Sequence, residues 1–273
     1  MTSAPARSAR CDLTFQVSEP ATIIAQVAVT AERADLDESL EVRGDGAPVP
    51  ARELPRAGEH GGRQHLIHAP AGTLTITYSA TVRPAASPPA PVTDLERVVA
   101  LRPSRYCPSD RVVGLAGATF GGHPAGPERV RAICDYVAER TFYQSGASDA
   151  TTDAIDTLLT GTGVCRDYAH LVAMLCRAVE VPARVAAVYA PGLSPMDFHL
   201  VVETEIDGLW RVWDATRLAP RTALVRIATG RDAADVAFAT VISGRALFTG
   251  MEITAVVDGD LPVDDHNEPV FLP

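Results

Sequence analysis

Alternation of hydrophobic and polar positions marks the first third of the chain. Runs such as Thr73-Leu-Thr-Ile-Thr-Tyr78 place apolar residues at every second position, and clusters of Gly, Pro and Asp separate these runs. This period of two is typical of half-buried β-strands. The pattern predicts strands at residues 11–17, 22–30, 39–43, 64–68 and 73–82. We therefore expect an antiparallel, sandwich-like β module.

Helical spacing begins after the proline-rich stretch Pro84–Pro91, which predicts a stiff linker. Thr93 and Glu96 resemble a helix cap, and Pro127 can occupy the first turn of a second helix. A short helix is predicted from Asp153 to Leu159. The most apolar segment starts at Cys165 and runs to about Val179, so it predicts a central helix that is buried on most sides.

Strand patterns return after Pro182. They predict strands at 183–189, 198–206, 209–214 and 224–227, and a last strand at 251–257 that closes the same sheet. The acidic end of the chain, which also contains prolines, predicts an extended tail. We therefore expect a β domain at residues 1–90, a second domain at 91–257 and a tail at 258–273.

A hairpin prediction brings two polar side chains together. Asp207-Gly208 separates two alternating runs, which is the strongest short signal for a hairpin. If these residues form the loop, Ile206 faces Leu209, and His199 and Asp214 are diagonal neighbours on one face. Their backbones would then be about 7 to 8 Å apart, within reach of an imidazole and a carboxylate.

The sequence from Gly161 to Cys165 delivers a cysteine to the start of the central helix. Unpaired N–H groups and the helix dipole stabilise a thiolate at such a position. A nucleophilic thiol needs a base, and the base needs a group that orients it. We therefore predict a catalytic set of Cys165, His199 and Asp214.

Other residues are candidates for the cleft around that thiol. Tyr143 can form a wall or donate a hydrogen bond near the oxyanion, or it can be an ordinary packing aromatic. Gln144 resembles an oxyanion glutamine in residue type, and Val164 and Tyr168 flank the thiol. The backbone N–H of Cys165 is the safer oxyanion donor. His170 lies on another face of the helix, so we expect it to be a buried structural residue.

Three motifs together resemble a known family. They are Gly161-x-Gly-Val-Cys165-Arg-Asp-Tyr-Ala-His170, Met196-Asp-Phe-His199 and Trp213-Asp214-Ala-Thr. This set resembles the bacterial transglutaminase-like proteins, a branch of the papain-like thiol enzymes. The resemblance implies a Cys-His-Asp triad at Cys165, His199 and Asp214. It also implies an α+β fold in which an antiparallel β module precedes a papain-like domain, with a central buried helix packed on an antiparallel sheet.

The chain departs from the family pattern at two places beside the predicted site. Many members have Ala-Trp after the histidine, where this chain has Leu200-Val201. Many also have Pro after the aspartate, where this chain has Ala215. Both positions flank the cleft, so the departures bear on substrate preference more than on the triad.

Composition excludes several classes of function. The net charge of −10 argues against nucleic acid or an anionic membrane as the main partner. The five cysteines form no Cys-x-x-Cys pair, which indicates free thiols in a reducing compartment. No long apolar segment is present, so we expect a cytoplasmic protein. His60, His65 and His68 lack a carboxylate cluster, and no calcium loop is visible, so we expect no metal and no cofactor.

The expected activity is cleavage of an amide or peptide bond through a cysteinyl thioester, as in a cysteine peptidase or amidase acting on a protein or peptide. The alternative is amide transfer to an amine by the same triad. All 24 basic residues are arginines, so that amine would come from another molecule. A second alternative is a non-catalytic binding or scaffolding protein on this fold, and a third makes Cys165 a buried structural residue. The oligomeric state stays open.

Overall fold

A computed structural model describes residues 5–30, 34–55, 61–84 and 89–272. Strands and helices are largely segregated along the chain, as in an α+β fold: β1–β6 come first, most of the helices follow, and β9–β13 come last. The strands are β1 (Arg7–Ala28), β2 (Ala34–Gly44), β3 (Ala47–Pro48), β4 (Ala51–Glu53), β5 (Gly61–Ala69), β6 (Gly72–Pro84), β7 (Phe142–Tyr143), β8 (Thr162–Gly163), β9 (Ala183–Tyr189), β10 (Phe198–Ile206), β11 (Leu209–Trp213), β12 (Val225–Gly230) and β13 (Ala239–Val257). The α-helices are α1 (Asp94–Ala100), α2 (Val113–Phe120), α3 (Pro127–Arg140), α4 (Ala154–Thr160), α5 (Cys165–Ala178) and α6 (Ala233–Val236).

The first β module is antiparallel, as the alternating pattern predicted. The runs at 11–17 and 22–30 belong to one long strand, β1, rather than to two. Its first half pairs with β6 and its second half with β5. Because β5 and β6 follow each other along the same edge of β1, the chain needs no turn between the two halves of β1. Alternate β1 side chains, from Ala9 to Val17, are buried.

The sheet continues from this module into the second half of the chain. Strand β12 pairs with β5 through Ala228 and Gly62, which gives the order β11-β10-β9-β12-β5-β1-β6-β2-β3. The approach is close, since a Cβ on Gly62 would lie 2.5 Å from the carbonyl oxygen of Ile227. Only glycine fits there without a shift of the backbone. The position of the domain boundary near residue 90 stays a prediction.

The last strand differs from the expectation. We predicted a strand at 251–257 on the sheet of the second domain, but β13 begins at Ala239 and pairs with β1 from Arg7 to Ala25. The pairing joins residues that are more than 200 positions apart, as in Arg7 with Val257. No local pattern encodes such a partner, and an alternating strand fits either sheet equally well.

The helices confirm the mixed fold. The predicted capping box of α1 forms between Thr93 and Glu96, and Pro127 starts α3. Helix α5 is buried over nearly all of its length and contacts β9, β10, α3 and α4. Helix α2 was not predicted, because its glycines argue against a helix. No helix in the described ranges is long and apolar enough to cross a membrane.

The predicted hairpin forms in the predicted register. Ile206 pairs with Leu209, and the ladder continues to Val202 opposite Trp213. Asp207 and Gly208 both have positive φ, at 54° and 75°, as a tight two-residue loop requires. The hairpin therefore aligns the start of β10 with the end of β11.

The C-terminal segment also differs from the extended tail that we expected. Within residues 258–272, Val270 is bridged to Val212 of β11, and Leu272 is only 3% exposed. Asp264 hydrogen-bonds the buried Arg221 through both carboxylate oxygens. The acidic composition of this segment predicted an extended tail, because nothing in the sequence showed that Asp264 would pair with a buried arginine.

Candidate active site

Cys165 is the first residue of α5, where the helix dipole favours an anion. The turn before it is shaped by Asp167, whose carboxylate accepts the Val164 N–H at 2.8 Å and caps the helix. Asp167 folds back so closely that a Cβ added to Gly163 would lie 2.6 Å from the Cβ of Asp167. The second glycine of the turn is therefore required by the cap, and the cap fixes the direction in which Cys165 leaves the helix.

Asp167 is a structural centre of this turn. Its side chain is buried and also receives the Ser148 hydroxyl at 2.5 Å and two hydrogen bonds from the Arg166 guanidinium. Arg166 in turn donates to the carbonyl of Asp149. These contacts join the 144–152 loop to the start of α5, so Arg166 and Asp167 have structural roles there.

Cys165 is the cysteine that reaches the surface. The other four are buried, whereas Cys165 is partly exposed, and all five are free. Burial raises the pKa of Cys107 and of Cys176 to about 12. These thiols are therefore protonated and shielded at neutral pH. A thiol reagent in solution therefore meets one accessible thiol, that of Cys165.

His199 and Asp214 form a buried pair. His199 Nε2 lies 2.8 Å from Asp214 Oδ2, and both side chains are at most 1% exposed. The other carboxylate oxygen of Asp214 accepts the backbone N–H and the hydroxyl of Thr216, at 2.9 and 2.7 Å. Asp214 follows directly after β11, so the hairpin and the Thr216 turn together aim the carboxylate.

The two groups stabilise each other's charge. Burial alone would lower the pKa of His199, but the Asp214 charge and hydrogen bond, with a smaller effect of the Cys165 thiol, raise it to about 10. Burial likewise disfavours the Asp214 carboxylate, yet His199 and Thr216 hold its pKa below the usual value. At neutral pH, the pair is an imidazolium and a carboxylate.

The second imidazole nitrogen faces the thiol side of the pair. His199 Nδ1 is buried and has no hydrogen-bond partner among the described residues. The Cys165 thiol lies 4.0 Å from the carbonyl oxygen of Phe198, the residue just before His199, and it interacts with the imidazole. Because Nε2 is engaged by Asp214, Nδ1 is the nitrogen that can exchange a proton with sulfur.

Tyr143 lies directly beside the thiol. The two-residue strand β7 pairs in parallel with β8, and this places Tyr143 against Gly163. The Tyr143 hydroxyl interacts with both the backbone N–H and the thiol of Cys165, while burial and the Cys165 charge raise its pKa to about 12. The ring is 46% exposed and lies 6.0 Å from the Tyr168 ring. Tyr143 therefore forms one wall beside Cys165.

Three further residues were candidates for the cleft: Val164, Tyr168 and Gln144. The Val164 N–H donates its hydrogen bond to the Asp167 carboxylate. Tyr168 is buried, and its hydroxyl donates to the carbonyl of Thr141. Gln144 has an exposed side chain, and its backbone N–H donates to Gly163 at 2.9 Å. The roles predicted for these three cleft residues stay predictions.

His170 is separate from this site. It is fully buried on α5, accepts the Ala233 N–H at Nε2 and stacks on the Tyr106 ring at 5.2 Å. Burial lowers its pKa to about 4, so the imidazole is neutral. Its role is structural, as its position on the helix indicated.

Two parts of the site were not predicted from the sequence. Thr216 binds Asp214 from the turn after β11, a role that the short Asp-Ala-Thr spacing could have suggested. Arg221 holds the carbonyl of Val212, two residues before Asp214, and is itself held by Asp264. That second support carries no local signal, because Arg221 and Asp264 are 43 positions apart.

The histidines of the first module do not form a comparable site. His65 is buried beside Glu53, whereas His68 is on the other face of β5 near Thr22. His60 lies outside the described residues. Within the described ranges, no group of three or more His, Cys, Asp and Glu residues could hold a metal ion.

Comparison with known proteins gives the family. A sequence model of the transglutaminase-like superfamily matches residues 114–215. A solved structure of a candidate cysteine protease from Cytophaga hutchinsonii is 35% identical and has a TM-score of 0.87, with 98% of this chain and 97% of that chain covered. The chain belongs to the transglutaminase-like superfamily. The part matched to this superfamily contains Cys165, His199 and Asp214.

More distant similarities accompany this match to the transglutaminase-like superfamily. An uncharacterised protein of Mycobacterium leprae (strain TN) is 25% identical over 203 residues, which cover 66% of this chain and 71% of that protein. The periplasmic domain of TgpA from Pseudomonas aeruginosa is 20% identical with a TM-score of 0.42, and the alignment covers 74% of this chain and 91% of that domain.

Proposed function

We propose that the protein is a thiol enzyme that cleaves an amide or peptide bond through a cysteinyl thioester. Cys165 is the nucleophile, His199 the acid and base, and Asp214 the orienting carboxylate. The observation that carries the proposal is the buried His199–Asp214 pair, with its 2.8 Å contact, beside the one partly exposed thiol of the chain. The substrate class is a protein or a peptide, and the reaction needs no cofactor.

In the first half of the reaction, the Cys165 thiolate attacks the carbonyl carbon of the substrate. An S–C bond forms, and the carbonyl oxygen becomes an oxyanion. We assign the backbone N–H of Cys165 as the donor to that oxygen, with the Tyr143 hydroxyl beside it as a second donor. His199 then gives its Nδ1 proton to the departing amine as the C–N bond breaks.

The second half of the reaction regenerates the Cys165 thiolate. His199, now neutral at Nδ1, takes a proton from water as the water oxygen attacks the thioester carbonyl. The C–S bond breaks, the carboxylic acid leaves, and Cys165 and His199 return to the ion pair. Asp214 keeps Nε2 protonated throughout, so Nδ1 is always the nitrogen that carries the exchanged proton.

A transfer reaction would differ only in the group that attacks the thioester. An amine in place of water gives a new amide and makes the protein an acyltransferase. Water is always present, whereas an amine needs its own binding site, so we propose hydrolysis as the main reaction. We also propose a cytoplasmic, reducing location, which the five free cysteines favour.

The test is the rate at which iodoacetamide alkylates Cys165, followed by intact mass and peptide mapping. At mildly acidic pH, we expect alkylation at least about tenfold faster than that of a short cysteine peptide, because an adjacent imidazolium stabilises the thiolate. His199→Ala should slow the reaction to the rate of the peptide. His68→Ala is the matched control, since His68 is exposed and lies on β5. A wild-type rate no higher than that of the peptide would contradict the ion pair.

A second experiment identifies the reaction. Peptide and amide libraries are incubated with wild type and Cys165→Ala, with and without a primary amine, and the products are weighed by mass spectrometry. New carboxylates that depend on Cys165 support hydrolysis. New amides made only when the amine is present support transfer. No turnover of any library, despite an activated thiol, would favour a binding protein on the same fold.

A further inference from the structure

Strand β13 forms an edge of the large sheet. One side of it pairs with β1 at 16 positions between Ala239 and Val257. In the described part of the chain, no strand pairs with its other side. The backbone N–H and C=O groups along that side are therefore open to another strand.

The edge is apolar and is little protected by charge or proline, although its ladder with β1 contains several bulges. Natural edge strands are commonly blunted by lysine, proline or inward-pointing charges. Strand β13 contains no proline or lysine, and Arg245 and Glu252 are its two charged residues. Six of its large apolar side chains are at least 38% exposed: Val241, Ile242, Leu247, Phe248, Met251 and Val256.

The two charges are placed symmetrically about Phe248. The β1 ladder pairs Thr14 with Gly250 and Phe15 with Phe248, so Thr249 is a bulge outside the ladder. On one side of Phe248, the next three ladder positions are Gly250, Met251 and Glu252. On the other side, they are Leu247, Ala246 and Arg245. Glu252 and Arg245 therefore lie three ladder positions from Phe248 in opposite directions.

We propose that two copies of the chain pair antiparallel through their β13 edges, with Phe248 on the two-fold axis. In this register, Arg245 of each copy faces Glu252 of the other, so one contact forms twice. A two-fold interface requires a surface that is complementary to itself, and the symmetric placement of one positive and one negative charge meets this requirement. The proposal concerns association and does not depend on the proposed catalysis.

The aromatic residue at the centre supports the same register. Phe248 is 40% exposed, and its ring lies 5.4 Å from both Phe15 and Phe238. Directly opposite residues of an antiparallel pair have Cβ atoms about 4.5 to 5.5 Å apart. The two Phe248 rings would extend the existing cluster across the axis and bury the exposed part of each ring.

The distribution of charge on the chain favours pairing of two copies through the β13 edge in this register. The chain as a whole carries −10, so most surfaces of two copies repel each other. Strand β13 is neutral, with one positive and one negative residue. Among the described residues, the ion pair of Arg245 is a long 3.9 Å contact with Glu19, and these side chains are 75% and 61% exposed. Arg245 is therefore free to turn towards the second copy.

The test is sedimentation velocity over a range of concentrations, on the full chain. We expect a reversible monomer–dimer equilibrium for the wild type. Arg245→Glu alone and Glu252→Arg alone should each weaken dimerisation by about tenfold or more, since each creates two like-charge pairs. The double variant R245E/E252R restores opposite charges and should return the dimer to near wild-type strength.

A further variant tests the edge itself. Leu247→Lys places a charge on the open strand at a side chain that is 68% exposed, so the monomer should fold normally and the dimer should be lost. Val263→Lys is the matched control, because Val263 is an apolar residue that is 98% exposed and lies off the strand. It should dimerise like the wild type.

Three results would overturn the proposal. One is a wild type that stays monomeric at all concentrations, including the case in which it binds an extended peptide at this edge instead. Another is a dimer that survives Leu247→Lys, which would place the interface elsewhere. The third is a double charge swap that fails to recover the dimer weakened by the single swaps, since the Arg245–Glu252 register would then be wrong.

Discussion

Two buried ion pairs lie near the end of β11, and they differ in the atoms that they leave without partners. Arg221 donates Nε and Nη2 to Asp264 and Nη1 to the carbonyl of Val212, so every guanidinium nitrogen is used. His199 uses Nε2 on Asp214 and leaves Nδ1 without a hydrogen bond in the described structure. The first pair is saturated, whereas the second keeps one nitrogen for the thiol.

The partners also differ in whether they can lose their charge. Arginine keeps its proton at any accessible pH, so Arg221 stays charged if its carboxylate is removed. Histidine can become neutral, which relieves the cost of an unpaired buried charge. A saturated pair with a permanent charge mainly stabilises the fold. Breaking a pair whose cation can lose its proton costs less of the free energy of unfolding. A pair that leaves one nitrogen without a hydrogen bond can also transfer a proton.

The largest expected effect is on turnover in Asp214→Asn. The amide cannot hold His199 as an imidazolium with Nε2 protonated, so we expect turnover to fall by about 10³- to 10⁴-fold. Because His199 can lose its proton, the free energy of unfolding should fall by less than it does in Asp264→Asn. The measurement is hydrolysis of the substrate found in the library screen, with chemical denaturation alongside. Equal losses of turnover in Asp214→Asn and Asp264→Asn would abolish the distinction between the two pairs.

The second prediction concerns the protonation of His199. Its pKa is raised to about 10, so the imidazolium persists at neutral pH and is lost as the pH rises through about 10. The rates of reaction steps that need the Nδ1 proton should fall over the same alkaline pH range. The pairing stabilises the fold fully below the unfolded pKa of about 6.5, and this stabilisation is lost as the pH rises towards 10.

NMR of the imidazole carbon Cε1 measures this titration without a substrate. In Asp214→Asn, the favourable charge is gone and burial remains, so the midpoint should drop to 6.5 or below. A wild-type midpoint near 6.5 would mean that Asp214 does not hold the imidazolium.

The third prediction concerns stability. Asp264→Asn leaves Arg221 charged at 1% exposure, and breaking a buried pair in this way costs about 3 to 5 kcal/mol of the free energy of unfolding. We expect a smaller loss of turnover per folded molecule than in Asp214→Asn. Chemical denaturation checks the stability. Asp260→Asn, an exposed position in the same segment, is the control and should leave the transition unchanged.

The pH dependence of stability distinguishes this pair further. The Arg221 hydrogen bonds outweigh burial and hold the pKa of Asp264 well below its usual value. A lowered carboxyl pKa stabilises the fold above the unfolded pKa of about 3.9, and this contribution is lost as the pH falls. Asp264→Asn should therefore flatten the acid side of the stability curve. An unchanged acid slope would show that the carboxylate is not paired in solution.

The two pairs also differ in how far the sequence predicts them. The Asp207-Gly208 loop and the alternating runs around it set the hairpin register, which brings His199 to Asp214 from residues only 15 apart. Cys165 follows from a local glycine turn and an apolar helix. The Arg221–Asp264 pair joins a loop to the C-terminal segment, and no periodic pattern links them. Short-range rules were sufficient for the reactive pair and could not reach the structural one.

The same limit applies to the strands and the cleft. The pairing of β13 with β1 depends on shape and burial across the whole fold, so the sequence placed that strand on the wrong part of the sheet. Tyr143 reaches Cys165 through a parallel pairing of two residues, Phe142 with Thr162 and Tyr143 with Gly163. Such a short strand has no detectable period. Its contact with the thiol could be predicted only by residue type.

The smallest expected effect comes from Thr216, which supports the reactive pair from outside. Thr216→Val keeps the shape and the backbone N–H bond to Asp214 but removes the 2.7 Å hydroxyl bond. One hydrogen bond to a charged group contributes about 1.5 to 3 kcal/mol at most, and the remaining N–H bond should limit the loss to about 1 kcal/mol. Turnover should fall about fivefold, and the His199 midpoint should shift slightly. Thr222→Val, on a buried hydroxyl without a partner in the described structure, is the control and should leave turnover unchanged. If Thr216→Val matched Asp214→Asn in turnover, the orientation of the carboxylate would depend on this one hydroxyl rather than on the hairpin.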